Sequence, residues 1–248
     1  LDILCPGWRN EDYTIRGRRD ILLKARQLGF STLILALYFL DTINNPHTYT
    51  VVIAHDVDST QRMFDMVKRY YAHLPIDKRP MTSAANRREF IWPELDSCFY
   101  LGTAGSRDFG RGSTVNNVHA SETASWPNGD EIVAGLMQAV PSDGNVILES
   151  TAKGSANYFY EEYQASKMGK SRFTPYFFGW NTNPGYSEPV PDDFEPEAEE
   201  VILQKEHGLT DGQLMWRRGK VLELRDQFTQ EFPLNDKEAF LAFQGRVL

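Results

Sequence analysis

Lys24, Arg26, Gly29, Ser31 and Thr32 lie close together just ahead of an apolar stretch at residues 33–40. A loop that grips phosphate needs backbone N–H groups converging on an anion. It also needs a helix N-terminus behind them and a hydroxyl for a divalent cation. Gly29 lets backbone approach closely, Ser31 and Thr32 supply hydroxyls, and Lys24 and Arg26 bring cations to phosphate oxygens. The usual spelling G-x-x-x-x-G-K-[ST] is not met: no glycine opens the loop, and Phe30 holds the lysine position. The same residues also read as a plain polar turn with Ser31 capping a helix.

Three further segments carry reactive side chains. Val118-His119-Ala120-Ser121-Glu122 reads as a short strand with an acidic end, the place for a carboxylate that orients water against a γ-phosphate. Ser121 stands where such sites usually put an aspartate. Glu122 reads equally as a surface residue or a cap. Glu149-Ser150-Thr151-Ala152-Lys153-Gly154 follows the apolar residues 146–148. Small hydroxyls there can sense the γ-phosphate and signal its loss, or form an ordinary turn. Arg107-Asp108-Phe109-Gly110-Arg111-Gly112 sets arginines beside glycines, a cationic loop suited to a phosphate, to DNA or to a surface ion pair. The order is more informative than any one segment: phosphate loop, acid-ended strand, Ser-Thr-ended strand is the order of parts in a P-loop ATPase.

The elements that must hold these residues alternate. Strands are expected at residues 21–25, 48–54, 114–120, 145–150 and 173–180, with Pro175 confining the last to a sheet edge. Residues 90–92 and 98–101 read as a strand pair around Pro93-Glu94. Helices are expected at 31–42, from a cap at Asp58, Ser59 or Thr60 to about His73, and at 131–140, 157–167, 197–205 and 213–224. Strands alternating with helices imply a largely parallel sheet covered on both faces, with ligands at the carboxyl ends of its strands. Near Asn181 the character changes to prolines and a dense acidic run, Asp192 to Glu200, read as a solvated lid or linker.

The bulk numbers fit one large α/β domain: 248 residues with 15 Phe, 11 Tyr and 5 Trp provide a sizeable core. A net charge of −8 argues against diffuse binding of nucleic acid over the whole surface, though not against local contact. Cys5 and Cys98 are far apart, and the five histidines form no ligand pair, so neither a disulfide framework nor a zinc site is expected. The longest apolar run is too short to span a bilayer. No Gly-x-Ser-x-Gly elbow or dinucleotide glycine pattern offers a rival chemistry.

Together the segments resemble the large terminase subunits of tailed bacteriophages, motors that pump DNA into preformed capsids. Lys24, five residues before Gly29, resembles a deviant Walker A in which the lysine opens the loop, and Arg26-Gln27-Leu28-Gly29 is similar to wording of that family. Residues 51–55 with Gln61, Arg111-Gly112, Glu122, Ser150-Thr151-Ala152 with Gly154, and Glu238-Ala239-Phe240-Leu241 before Gly245 match in type and order. Phe30 and Ser121 depart from the pattern.

The resemblance implies a P-loop NTPase of the additional-strand type, an α/β fold with a mostly parallel central sheet and helices on both faces. Residues 1–19 would be a leading segment, 20–180 the ATPase core, and 181–248 an acidic lid or linker with a helical extension. A nuclease domain is expected to be absent, and with it DNA cleavage. The implied activity is Mg²⁺-dependent ATP hydrolysis driving double-stranded DNA into a viral procapsid. Lys24, Gln27, Gly29, Ser31, Thr32, Ser150 and Thr151 would meet the nucleotide, and Ser31 the Mg²⁺. Glu122 would activate water, Arg26 would answer the γ-phosphate in cis, and Arg111 would act as a finger between subunits. The implied partners are DNA, the portal protein, the small terminase subunit and further copies in a ring, although the isolated fragment can be a monomer. No membrane is implied. The implied location is the procapsid portal vertex in the cytoplasm of the infected bacterial host. Two alternatives stay open: a nucleotide-binding assembly module with little or no turnover, and a helicase-like translocase, which would normally carry a second motor core.

Overall fold

A computed structural model describes residues 16–85, 88–104 and 114–241. The whole Arg-Gly segment at 107–112, Arg107 and Arg111 included, therefore lies outside the described residues, as do Cys5 and Gly245.

Eight strands form one sheet: β1 (Arg19–Lys24), β2 (Tyr49–Ala54), β3 (Ala84–Ala85), β4 (Glu89–Trp92), β5 (Ser97–Thr103), β6 (Asn117–Ser121), β7 (Asn145–Ser150) and β8 (Thr174–Phe178). Their order is β3-β4-β5-β2-β6-β7-β1-β8. From β5 through β8 every neighbour is parallel, while β4 and β3 fold back antiparallel at one end. β7 lies between β1 and β6 as the additional strand. β8 closes the other edge, where Pro175 removes no ladder bond that a second neighbour would need.

Parallel strands are buried on both faces, so their apolar residues divide between two cores. Leu22 of β1 and Val52 of β2 face α1 (Phe30–Asn44) and α2 (Val57–His73), with Phe39, Phe64, Phe90 and Trp92. Ile21, Leu23, Val51 and Ile53 face the opposite way, against α3 (Gly129–Ala139) and α4 (Tyr158–Lys167). α2 is capped by Asp56, whose carboxylate accepts from the Ser59 N–H at 2.6 Å, and not by residues 58–60 as expected.

The last third of the chain carries α5 (Ala198–His207), α6 (Asp211–Leu224), α7 (Phe228–Glu231) and α8 (Asp236–Leu241). Trp180, Trp216, Phe228 and Phe232 make a third core there, and it includes Ala25 from the end of β1. The helical layer is therefore docked on the loop that follows β1.

Candidate active site

β1 ends on Lys24 and α1 begins at Phe30, one residue earlier than expected, so residues 25–29 make the turn. Gln27 (φ 57°) and Gly29 (φ 79°) both sit in the left-handed region, which glycine enters without penalty. A Cβ built on Gly29 would meet nothing within 4 Å, so the space before the helix is open. The Ala25 N–H donates to Phe178 O at 2.8 Å and the Arg26 N–H to Glu231 O at 2.9 Å. From Gln27 to Thr32, no backbone N–H finds an acceptor among the described residues. A run of unpaired donors at the start of a helix fifteen residues long is a site for an anion.

Phe30, at the lysine's customary position, is 3% exposed and packs on Phe178, ring centroids 4.4 Å apart. Its side chain belongs to the core and faces away from the loop. Ser31 is not the helix cap, because Gly29 occupies that position. The Ser31 hydroxyl instead donates to Glu149 Oε1 at 2.5 Å. Thr32 is exposed beside Met66, and its carbonyl accepts from the Tyr70 hydroxyl.

Lys24 is buried at the junction of β1, β6 and β7. Its Nζ lies 3.3 Å from Glu122 Oε1 and 3.9 Å from Glu149 Oε2. Burial pulls the ammonium down, and the charges of Glu149 and Glu122 more than offset it, so Lys24 stays above the ordinary lysine value. Glu149 is fully buried, which pushes its carboxyl up. The Lys24 charge and the His119 and Ser31 hydrogen bonds outweigh that and hold it at about 2. His119 Nε2 is 3.0 Å from Glu149 Oε1; a carboxylate only accepts, so the ring proton sits on Nε2. Ser121 Oγ donates to the same oxygen at 3.1 Å.

Glu122 follows β6 with φ 53° and caps nothing with its side chain. One oxygen faces Lys24, and the other accepts from Thr151 Oγ at 3.4 Å. Ser150 is buried and accepts from the Ala124 N–H at 3.1 Å, fixing the turn beyond Glu122. Thr151 thus reaches the acid directly, while Ser150 braces the backbone that carries it.

Arg26 is 60% exposed and pairs with Glu231 at 2.8 Å, and its carbonyl accepts from the Tyr186 hydroxyl at 2.7 Å. Among the acids of residues 192–200, Glu199 pairs with Arg217 and the buried Glu200 with Arg218, while Glu197 and Glu200 form a capping box. Among the described residues, no group of three or more His, Cys, Asp or Glu is placed to hold a metal ion. No helix there is long and apolar enough to cross a membrane.

The structure brings Lys24, Ser31, Glu122 and Thr151 to adjoining strand tips, with Gln27 and Gly29 in the loop beside them. It leaves Arg26 in a separate pair and Thr32 on the surface. Glu149 and His119 join the site without having been expected there, and Glu231 holds Arg26 apart from it. The available signal is a charged residue closing the apolar run 146–148, since a carboxylate inside a buried strand must find partners.

No family model matches the sequence. Solved structures match at the level of fold. The large terminase ATPase domain of Thermus phage P74-26 aligns with a TM-score of 0.55 at 18% identity, covering 88% of each chain. The bacteriophage HK97 large terminase aligns at 0.61 with 14% identity, over 88% of this chain and 47% of that one. The large terminase of a thermophilic bacteriophage, solved in complex with ATP-gamma-S, aligns at 0.53 with 12% identity over 85% of this chain and 48% of that one. The chain thus has the α/β fold found in phage large-terminase ATPase domains. It spans about half the length of the last two of these proteins.

Proposed function

We propose that this chain binds and hydrolyses ATP, and that hydrolysis drives double-stranded DNA into a viral procapsid. The observation that carries the reading is the run of unpaired backbone donors at residues 27–32, with open space at Gly29, next to Lys24, Ser31 and Glu122. The loop N–H groups hold phosphate oxygens. Lys24 exchanges Glu122 for the β- and γ-phosphates, which frees the Glu122 carboxylate to accept a hydrogen bond from the attacking water. Thr151 keeps that carboxylate oriented and links it to the strand end that would report loss of the γ-phosphate. Arg26 turns from Glu231 toward the added negative charge.

The donor set also fits Mg²⁺. Ser31 donates its proton to Glu149 and so keeps its lone pairs for a cation, while Glu149 Oε2 is buried without a hydrogen-bond partner among the described residues. A hard oxygen-ligated ion of this kind supplies charge neutralisation to the phosphates when bound. The sequence resemblance to large terminase subunits supplies the load in this reading: DNA, moved at the portal with the small terminase subunit, by copies arranged as a ring in the host cytoplasm. Arg111 would then reach a neighbour's phosphates. Phe30 and Ser121 favour a second reading, an assembly module that binds nucleotide without turnover.

Steady-state phosphate release with and without double-stranded DNA tests the proposal. Wild type should turn over, and Glu122→Gln should bind nucleotide but lose about 10²-fold or more in kcat. Nucleotide binding with no phosphate release in wild type would leave the assembly-module reading standing.

A further inference from the structure

We propose that Glu149, on β7, is the positioning carboxylate for the Mg²⁺ of this site. It would take the task that the departure at Ser121 leaves open on β6. The inference rests on the nucleotide-binding reading and assigns one of its parts to a strand that no local motif marks for it.

Three observations carry it. Ser121 and Glu149 are register partners across the β6–β7 ladder, so a carboxylate lost from the first tip can be replaced from the second at nearly the same depth. Glu149 Oε1 collects donors from Ser31, His119 and Ser121, which holds the carboxylate against the Ser31 hydroxyl assigned above to the cation. Among the described residues, Oε2 is buried with no hydrogen-bond partner, and Lys24 Nζ lies 3.9 Å away. A purely structural buried acid is expected to have both oxygens satisfied. The half-satisfied state becomes reasonable if Oε2 is reserved for water on a metal ion.

Charge leads to the same place. When Lys24 moves onto phosphate, Glu149 loses its counter-ion while still fully buried. A bare buried carboxylate is costly, so the exchange is favourable only if another cation arrives beside it. Nucleotide that brings a divalent ion solves both problems in one event. Glu149 also immediately precedes Ser150 and Thr151, so the metal and the expected phosphate-sensing residues would meet at the end of one strand.

The test is Mn²⁺ retention, read by electron paramagnetic resonance with the β,γ-imido analogue of ATP, alongside analogue affinity in EDTA. Glu149→Gln should lose about tenfold or more in Mn²⁺ affinity, as loss of an outer-shell partner does, while metal-free analogue affinity does not fall, because the variant leaves no bare carboxylate when Lys24 moves onto phosphate. Adding Ser121→Asp to that variant should recover part of the loss by returning a carboxylate to β6. A role as a mere brace for Lys24 would lower both affinities together and overturn the proposal. Unchanged Mn²⁺ retention in Glu149→Gln would overturn it alone and leave nucleotide binding intact. Failure of wild type to bind the analogue with or without the divalent ion would remove the nucleotide reading and this inference with it. If Glu149→Gln does not fold, Glu149→Asp keeps the charge beside Lys24 but shortens the reach. It should show the same selective Mn²⁺ loss, and wild-type retention there would count against the proposal.

Discussion

Replacing Lys24 with methionine should destabilise the nucleotide-free protein, although the residue is assigned to phosphate. Lys24 is 5% exposed, and its ammonium sits between Glu122 and the fully buried Glu149. Methionine keeps most of the packing, so the main loss is the counter-ion. Removing one partner of a buried pair typically costs about 3–5 kcal/mol. Glu149 keeps its three donors on Oε1, which places the expected loss at the lower end, about 3 kcal/mol. For a chain of this size that corresponds to a fall in Tm of roughly 6–12 °C. Neutralising the orphaned acid should return part of the loss. The pair Lys24→Met with Glu149→Gln should be more stable than the sum of the single changes by about 1–3 kcal/mol. Urea unfolding without nucleotide, followed by tryptophan fluorescence, reads these differences as midpoint shifts at constant m. A Lys24→Met protein within about 0.5 kcal/mol of wild type, the range of an ordinary surface change, would refute the reasoning, as would strict additivity.

Gly29→Ala meets no steric obstacle but places a Cβ at φ 79°. It should cost about 1–2 kcal/mol in thermal unfolding, whereas a neutral result would mean the loop adopts another conformation. Glu231→Gln should change stability by less than about 1 kcal/mol, because its partner Arg26 is largely exposed. It should also tighten ATP-analogue binding by releasing Arg26; unchanged affinity in a fluorescence titration would remove Arg26 from the phosphate site. Burial pushes the Cys98 thiol up to about 11. The unfolded chain therefore releases that proton first, and this group's contribution to stability falls as pH rises from about 8.5, the unperturbed cysteine value. In a Cys5→Ser background, iodoacetamide should modify native Cys98 far more slowly than the unfolded chain; equal rates would contradict the burial.

The sheet is legible because its strands are short apolar runs that local pattern reveals, and because Pro175 permits only an edge. The loop is legible in outline, since Lys24, Gly29 and Ser31 have a spacing that a phosphate can use. α1 starts one residue before its pattern suggests because Gly29 caps through backbone conformation, which leaves no side-chain signature. Asp56 is hard to single out as a cap because residues 58–60 offer equally good cap chemistry nearby. Glu149 is hidden for a longer-range reason. Its meaning depends on β7 lying between β1 and β6, and strand order is set by packing across the whole sheet. The acidic run reads as solvated and most of its acids are exposed; Glu200 is the buried exception, because its partner Arg218 lies on α6, well along the chain. Arg26 likewise meets Glu231 across most of the sequence, a contact that no local pattern announces.

The most direct test of the central claim is calorimetric titration of the purified chain with a nonhydrolysable ATP analogue, with and without Mg²⁺, beside Lys24→Ala. Saturable binding near one analogue per chain, strengthened by Mg²⁺ and abolished by the substitution, is the expected result. No binding by a folded wild-type chain under either condition would contradict the assignment of the residue 24–32 loop to phosphate.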